Sequence, residues 1–214
     1  MTRVRKVRKG QIILYQGEAT SSVFVIKQGV VRAYSILSSG NEVNVALFGN
    51  DDYFPVGVVF GHLPVAIFYY EAMTDVELEV AAADEKASLL AHDPVEFERM
   101  TRRYMGALLH IQALGQDNAS AKLAHTLRYL ALRFGAPEDP EGFRLLTLDL
   151  TQSDLARLAN ISRETVSHEL AALKVQRAVA QTGKRYNVHI NRLNRLTGDE
   201  LQPEISLSEY PQLP

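Results

Sequence analysis

Thr151-Gln152-Ser153-Asp154-Leu155-Ala156-Arg157-Leu158-Ala159-Asn160-Ile161-Ser162-Arg163-Glu164-Thr165-Val166-Ser167-His168-Glu169-Leu170 is the stretch from which the organisation of this 214-residue chain can be read. Thr151 can cap a short helix whose inner face is Leu155, Leu158 and Ala159, with Ala156 small enough for a second helix to cross closely. Asn160 tolerates the left-handed backbone of a tight turn. Ser162 then caps a second helix with Thr165, Val166, Leu170 and Leu173 on its inner side. Arg163, Glu164, Ser167 and His168 are left outward near its N-terminal end. The pattern predicts a helix-turn-helix, whose second helix meets base edges in a DNA major groove. Arginine can grip O6 and N7 of guanine, and glutamate can accept from N4 of cytosine. Thr151, Gln152 and Ser162, at the two helix starts, complete the expected contacts on this side. A helical hairpin with a merely polar outer face is the plainer alternative.

The flanks favour the DNA reading. Ala178-Val179-Ala180 and Val188-His189-Ile190 enclose Gln181-Thr182-Gly183-Lys184-Arg185, a β-hairpin with a basic tip. Helix-turn-helix followed by such a hairpin is a winged helix, and Lys184 and Arg185 are its expected phosphate contacts. Upstream, Leu145–Leu150 predicts a short strand, residues 135–142 a loop, and Ala121–Phe134 a helix entered through Asp117-Asn118-Ala119-Ser120. Before that, Asp93-Pro94-Val95-Glu96 has the form of a capping-box start. Phe97, Met100, Tyr104, Ala107, Ile111 and Leu114 follow at alternating steps of three and four. That stripe predicts a helix over 94–116, roughly 34 Å long, serving as a homodimer seam. Packing against the chain's own β-body is the other use such a stripe could have.

The first ninety residues change period. Gln11–Tyr15, Val23–Ile26, Val30–Tyr34, Val43–Phe48, Ala66–Ala72 and Val76–Ala81 read as short strands punctuated by Gly17, Gly29 and Ser38-Ser39-Gly40-Asn41. Strands at such spacing predict an antiparallel jelly roll. The fold class is therefore α+β: an antiparallel β-roll over 1–92, a dimerisation helix over 93–116, a winged helix over 117–197 and an irregular tail over 198–214, packing through Ile205, Leu207 and Tyr210.

Charge is sorted to match. Between Asn41 and Glu98 the only lysine or arginine is Lys86 among many acids, whereas from Thr151 to Arg195 eight lysines and arginines outnumber Asp154, Glu164 and Glu169. The basic half suits a polyanion. There is no cysteine, which excludes disulfides, thiolate zinc sites and cysteine-held clusters. No run approaches the ~18–20 apolar residues of a membrane helix, and no apolar run follows the basic N-terminus as in a signal peptide. A cytoplasmic protein with no membrane association is expected.

Ser162-Arg163-Glu164-Thr165-Val166-Ser167 ahead of Leu170 and Leu173, with the Thr182-Gly183-Lys184 wing, closely resembles the CRP/FNR family of bacterial regulators. The resemblance covers nearly the whole chain in layout. It implies a cyclic-nucleotide-binding-like β-roll, a homodimer joined along the central helix, and double-stranded DNA and RNA polymerase as partners. Three departures stand out. Where cyclic-AMP-binding members carry Gly-Glu and Arg-Ser-Ala to hold ribose and phosphate, this chain has Pro55-Val56 and Ala66-Ile67-Phe68. A phosphate there would lack its counter-charge, at a cost of several kcal/mol, so cyclic AMP is not the expected effector. His168 stands where the family places an arginine that contacts guanine. Glu169 stands where an apolar residue packs, and is expected to turn or loosen the helix.

No cofactor is expected, and the effector is left unidentified. An effector-gated sensor with an apolar or haem-like ligand in the roll is the alternative reading. Phe68, Tyr69 and Tyr70 could line an apolar pocket, though alternating strand core and surface is the favoured reading of them. His62, His92, His110, His125 and His189 are scattered, and an enzyme on a cupin-like body would need clustered ligands where residues 1–90 offer only His62. His168-Glu169-Leu170-Ala171-Ala172 begins like a zinc-protease motif, but Ala172 replaces the second histidine.

Overall fold

A computed structural model describes residues 3–59 and 63–198; His62 and the tail residues Ile205, Leu207 and Tyr210 lie outside them. The chain divides into two compact units, Met1–Ala107 and Leu108–Pro214.

In the first unit β1 (Arg3–Val7), β2 (Ile12–Leu14), β3 (Ser22–Gln28), β4 (Val31–Ile36), β5 (Glu42–Phe48) and β6 (Tyr53–Phe54) precede the single-turn helix α1 (Val56–Val59). β7 (Tyr69–Ala72), β8 (Val76–Ala82), α2 (Ala83–His92) and α3 (Pro94–Leu114) follow. The strands form two antiparallel four-stranded sheets, ordered β1-β8-β3-β6 and β2-β7-β4-β5. Alternate residues of each strand point inward. Phe24, Ile26, Val76 and Leu78 of one sheet and Val31, Ala33, Tyr70 and Ala72 of the other share one core. Its centre is aromatic: Phe54 stacks on Tyr70 at 4.8 Å and on Phe24 at 5.5 Å, with Phe48 tilted against both Phe54 and Tyr70. Between β3 and β4, Gly29 has φ 101° and passes so close to Asp75 that an added Cβ would meet its carbonyl. Only glycine fits that turn.

Four elements of this unit, β1, β6, α1 and α2, escape the sequence reading, and two of them are longer than a single turn or residue pair. The basic N-terminus is a strand, β1, paired antiparallel to the acidic β8 with Lys6 opposite Glu77. Their charges meet at 3.5 Å while Val7 enters the core. Helix α2 is the second, with Asp84 and Glu85 in its first turn and His92 in its last, as the helix dipole favours. Its presence alters the expected capping box. Asp93 Oδ1 does accept from the backbone N–H groups of Val95 and Glu96. The Asp93 N–H, however, donates to the Leu89 carbonyl of α2, and Glu96 turns to Arg99 instead.

The second unit holds α4 (Ala119–Phe134), β9 (Arg144–Leu145), α5 (Gln152–Ala159), α6 (Arg163–Val175), β10 (Val179–Thr182), β11 (Arg185–Val188) and α7 (Ile190–Thr197). Asn118 caps α4 by accepting from Ser120 N. Leu123, Leu127 and Leu130 of α4, Leu155 and Leu158 of α5, and Val166, Leu170 and Leu173 of α6 are all buried. The sheet order is β10-β11-β9. The strand expected over 145–150 shortens to Arg144–Leu145, though Leu146, Leu148 and Leu150 still alternate inward. β11 stops at Val188, so Ile190 begins α7, a helix the sequence reading did not anticipate. Gly198 closes it at φ 74°, the left-handed cap that favours glycine.

Candidate nucleic-acid interface

The helix-turn-helix is fixed by local hydrogen bonds. Thr151 Oγ1 accepts from Asp154 N at 3.1 Å, and Asp154 Oδ2 accepts from the Thr151 N–H at 2.9 Å and its hydroxyl at 2.8 Å. This is a reciprocal capping box. Asp154 is itself buried and holds Arg157 at 2.9 Å. Asn160 takes φ 51° and ψ 47°, and turns the chain into α6. Ser162 Oγ then accepts from Thr165 N at 3.1 Å.

With Val166, Leu170 and Leu173 inward, α6 presents Arg163, Glu164, Ser167 and His168 together on one exposed face at its N-terminal end. The Thr151 and Ser162 hydroxyls are engaged as caps, and Gln152 is half-buried in the first turn of α5. The Glu164 carboxyl is held below the usual carboxylate range by its own backbone N–H and by the Ser162 hydroxyl. It is an acceptor at neutral pH.

Glu169 does not loosen the helix. α6 runs unbroken over 163–175 because the side chain finds polar partners. It is hydrogen-bonded by Ser120 at the start of α4, and this bond foremost, then His168, holds its carboxyl below the usual range. His168 Nδ1 lies 3.1 Å from Glu169 Oε1, with His168 exposed and Glu169 largely covered.

The wing is a two-residue hairpin whose Gly183 has φ 62°, the positive value that a tight turn of this kind requires. Gln181 braces it in a way the sequence reading missed: it accepts from Lys174 of α6 at 2.7 Å and donates to the Gly183 carbonyl at 2.8 Å. Lys184 is exposed at the tip. Arg185 Nε pairs with Asp149 Oδ1 at 3.1 Å, both side chains exposed.

The six residues of the α3 stripe divide. Met100 packs on a cluster with Val23, Val25 and Tyr53, Ala107 belongs to the roll's core, and Leu114 is buried. Phe97, Tyr104 and Ile111 remain exposed, joined by Met105 and Leu108. The outward apolar face is thus turned from the expected stripe by the packing of α3 on its own roll.

In the roll, the positions aligned with a cyclic-nucleotide cradle are apolar in their surroundings as well as in kind. Val56 packs beside Tyr53 and Val59, Ala66 is wholly buried, and Phe68 lies against the core. Arg32 is buried on the opposite face of β4, held at 2.7 Å by both Glu42 and Glu71. Tyr69 stacks on Tyr34, away from Tyr70 and the core, so Phe68-Tyr69-Tyr70 alternates between the two faces of its sheet, in line with the strand reading and not with a common pocket lining. Among the described residues no group of three or more acidic or histidine side chains could hold a metal ion, and no helix is long and apolar enough to cross a membrane.

Residues 4–93 match the family model of the cyclic nucleotide-binding domain, and residues 121–198 that of the Crp-like helix-turn-helix domain. The chain is similar to the global nitrogen regulator of a Synechocystis strain, 25% identical with 85% of this chain and 82% of that protein covered. It is equally similar to regulatory protein HlyX of Actinobacillus pleuropneumoniae, 25% identical over 91% of this chain and 80% of that one. Its fold is that of FixK2 from Bradyrhizobium japonicum, with a TM-score of 0.71 at 22% identity, covering 92% of this chain and 97% of that one. With its β-roll ahead of a winged helix-turn-helix, the chain belongs to the CRP/FNR family of DNA-binding transcriptional regulators.

Proposed function

We propose that the protein acts as a homodimer on a pseudo-palindromic DNA site, that it does so without a cyclic nucleotide, and that it has no catalytic role. The observation that carries this is the exposed face of α6, where Arg163, Glu164, Ser167 and His168 project from a doubly capped helix-turn-helix. Thr151, Gln152, Ser162, Lys184 and Arg185 flank that face as backbone contacts. The exposed apolar run on α3 supplies the seam between two copies, which sets the spacing of the two half-sites. Transcriptional regulation implies RNA polymerase as a further partner and the cytoplasm as its place.

Cyclic-nucleotide independence rests on the roll's interior. Aromatic side chains fill its centre, and Arg32, the one arginine of β4, is committed to two glutamates. Selection of bound DNA from a random pool tests the reading: inverted repeats with two conserved half-sites are expected, and unselected DNA would overturn it. Calorimetry with cyclic AMP or cyclic GMP is expected to show no binding, and micromolar affinity for either would overturn the independence.

A further inference from the structure

Two departures from the family pattern, His168 and Glu169, are neighbours in sequence and partners in space. His168 Nδ1 is 3.1 Å from Glu169 Oε1. Glu169 is also hydrogen-bonded by Ser120 on α4 and is only 18% exposed, so the carboxylate is held by a second element besides the imidazole. An ionised carboxylate only accepts, so the proton of the pair must sit on Nδ1. His168 itself is 83% exposed and stands on the face proposed to meet bases.

We propose that Glu169 is a positioning residue that holds His168 as the Nδ1–H tautomer, so that neutral His168 offers its Nε2 lone pair to an amino-bearing base, cytosine or adenine. The inference rests on the reading of α6 as the recognition helix. Arginine, the family's residue at this position, can only donate and therefore suits guanine. A clamped neutral histidine reverses the polarity of that contact. N4 of cytosine and N6 of adenine are the donors that the major groove presents to such an acceptor. Protonation would add a hydrogen to Nε2 and turn it back to a donor, suited to guanine or to O4 of thymine. Besides Glu169, Glu164 stands one turn earlier on the same helix. The contact from α4, Ser120, carries no charge.

The test uses the full-length protein at pH 8 in two measurements. Nitrogen-15 NMR of the histidine rings reads the tautomer directly: His168 Nε2 is expected to show the shift of an unprotonated nitrogen, and Glu169→Gln, whose amide can either donate or accept, to restore a mixture. DNA selection reads the consequence. Wild type is expected to prefer cytosine or adenine at one position of each half-site. Glu169→Gln should lower that preference about fivefold, the worth of one hydrogen bond, with the other positions unchanged. His168→Arg should convert it to guanine. A wild-type Nε2–H tautomer, guanine at that position in wild type, or a preference untouched by Glu169→Gln would each overturn the proposal. Failure of the underlying reading looks different, because Arg163→Ala would then leave every base preference intact. Should Glu169→Gln not fold, the wild-type tautomer and the wild-type base decide the matter alone.

Discussion

Arg163 and Glu164 stand in the first turn of α6 with solvent over both side chains, while the residues that hold the helix in place point the other way. Function and stability are therefore separable here one residue at a time. Arg163→Ala or Glu164→Ala is expected to cost about 1–3 kcal/mol on the preferred site and to relax one base position, with the fold retained. Titration of each variant against a panel of single-base variants of the site measures both. Thr151→Ala should do the opposite: loss of the capping box costs about 1 kcal/mol of folding stability and leaves base preference alone. His110 gives a third kind of residue. It is 3% exposed and stacks on Tyr129 at 4.5 Å. Burial pushes it down to about 4, which the Leu158 carbonyl only partly offsets and His125 reinforces. The unfolded chain takes up a proton near pH 6.5 that the folded chain refuses, so stability falls as pH drops from about 6.5 to 4. The full loss is of the order of 3 kcal/mol. Urea unfolding across that range should show a steeper decline for wild type than for His110→Phe, and equal declines would remove the assignment.

At the level of elements, α3 shows what periodicity can and cannot tell. Steps of three and four locate the helix and its apolar character, but an apolar side chain carries no mark of which neighbour covers it. Met100 and Ala107 are taken by the chain's own roll, and Phe97, Tyr104, Leu108 and Ile111 remain exposed, the face proposed for a second copy. Leu108→Lys with Ile111→Lys is accordingly expected to give monomers in sedimentation, since charges would oppose one another across the seam. A double variant that sediments as wild type would remove the seam from this face. Leu114, though in the expected stripe, is buried, and Lys there would test folding instead. The same distinction separates the legible elements from the rest. Caps and turns act within four residues, so Thr151, Asn160, Ser162 and Gly183 were readable in sequence. β1 exists because β8, far along the chain, pairs with it over five residues and Val7 enters the core, while its own residues read only as a basic run. α7 was hidden because Val188-His189-Ile190 passes for a continuing strand. The partners of Glu169 and Arg185 are distant too, Ser120 in one case and Asp149 in the other. The outward face of the candidate site was therefore legible, and the contacts that tune it were not.

Across the whole molecule, the near-neutral net charge of −2 hides a division of labour. Four glutamates of the roll are met within their own unit, by Lys6 on Glu77, Lys27 on Glu79, and Arg32 on Glu42 and Glu71. The basic residues of the winged unit are in part open and in part paired, and a polyanion would sense the difference. Binding to DNA releases one counterion for each phosphate neutralised, with log K falling against log salt by about 0.9 per contact. Lys184→Ala in a homodimer removes two open contacts, so the slope should flatten by about two while affinity falls alike on specific and random DNA. Arg185 is held by Asp149 in an exposed ion pair, the kind worth little on its own. It can exchange that partner for a phosphate, but the stranded aspartate then repels the backbone. Asp149→Asn is thus expected to tighten binding to all sequences and steepen the slope, with base preference unchanged. Fluorescence anisotropy at several salt concentrations reads all three proteins. A slope unmoved by Lys184→Ala would take the wing off the phosphates, and a shift in base preference with either variant would make the wing a reader of sequence.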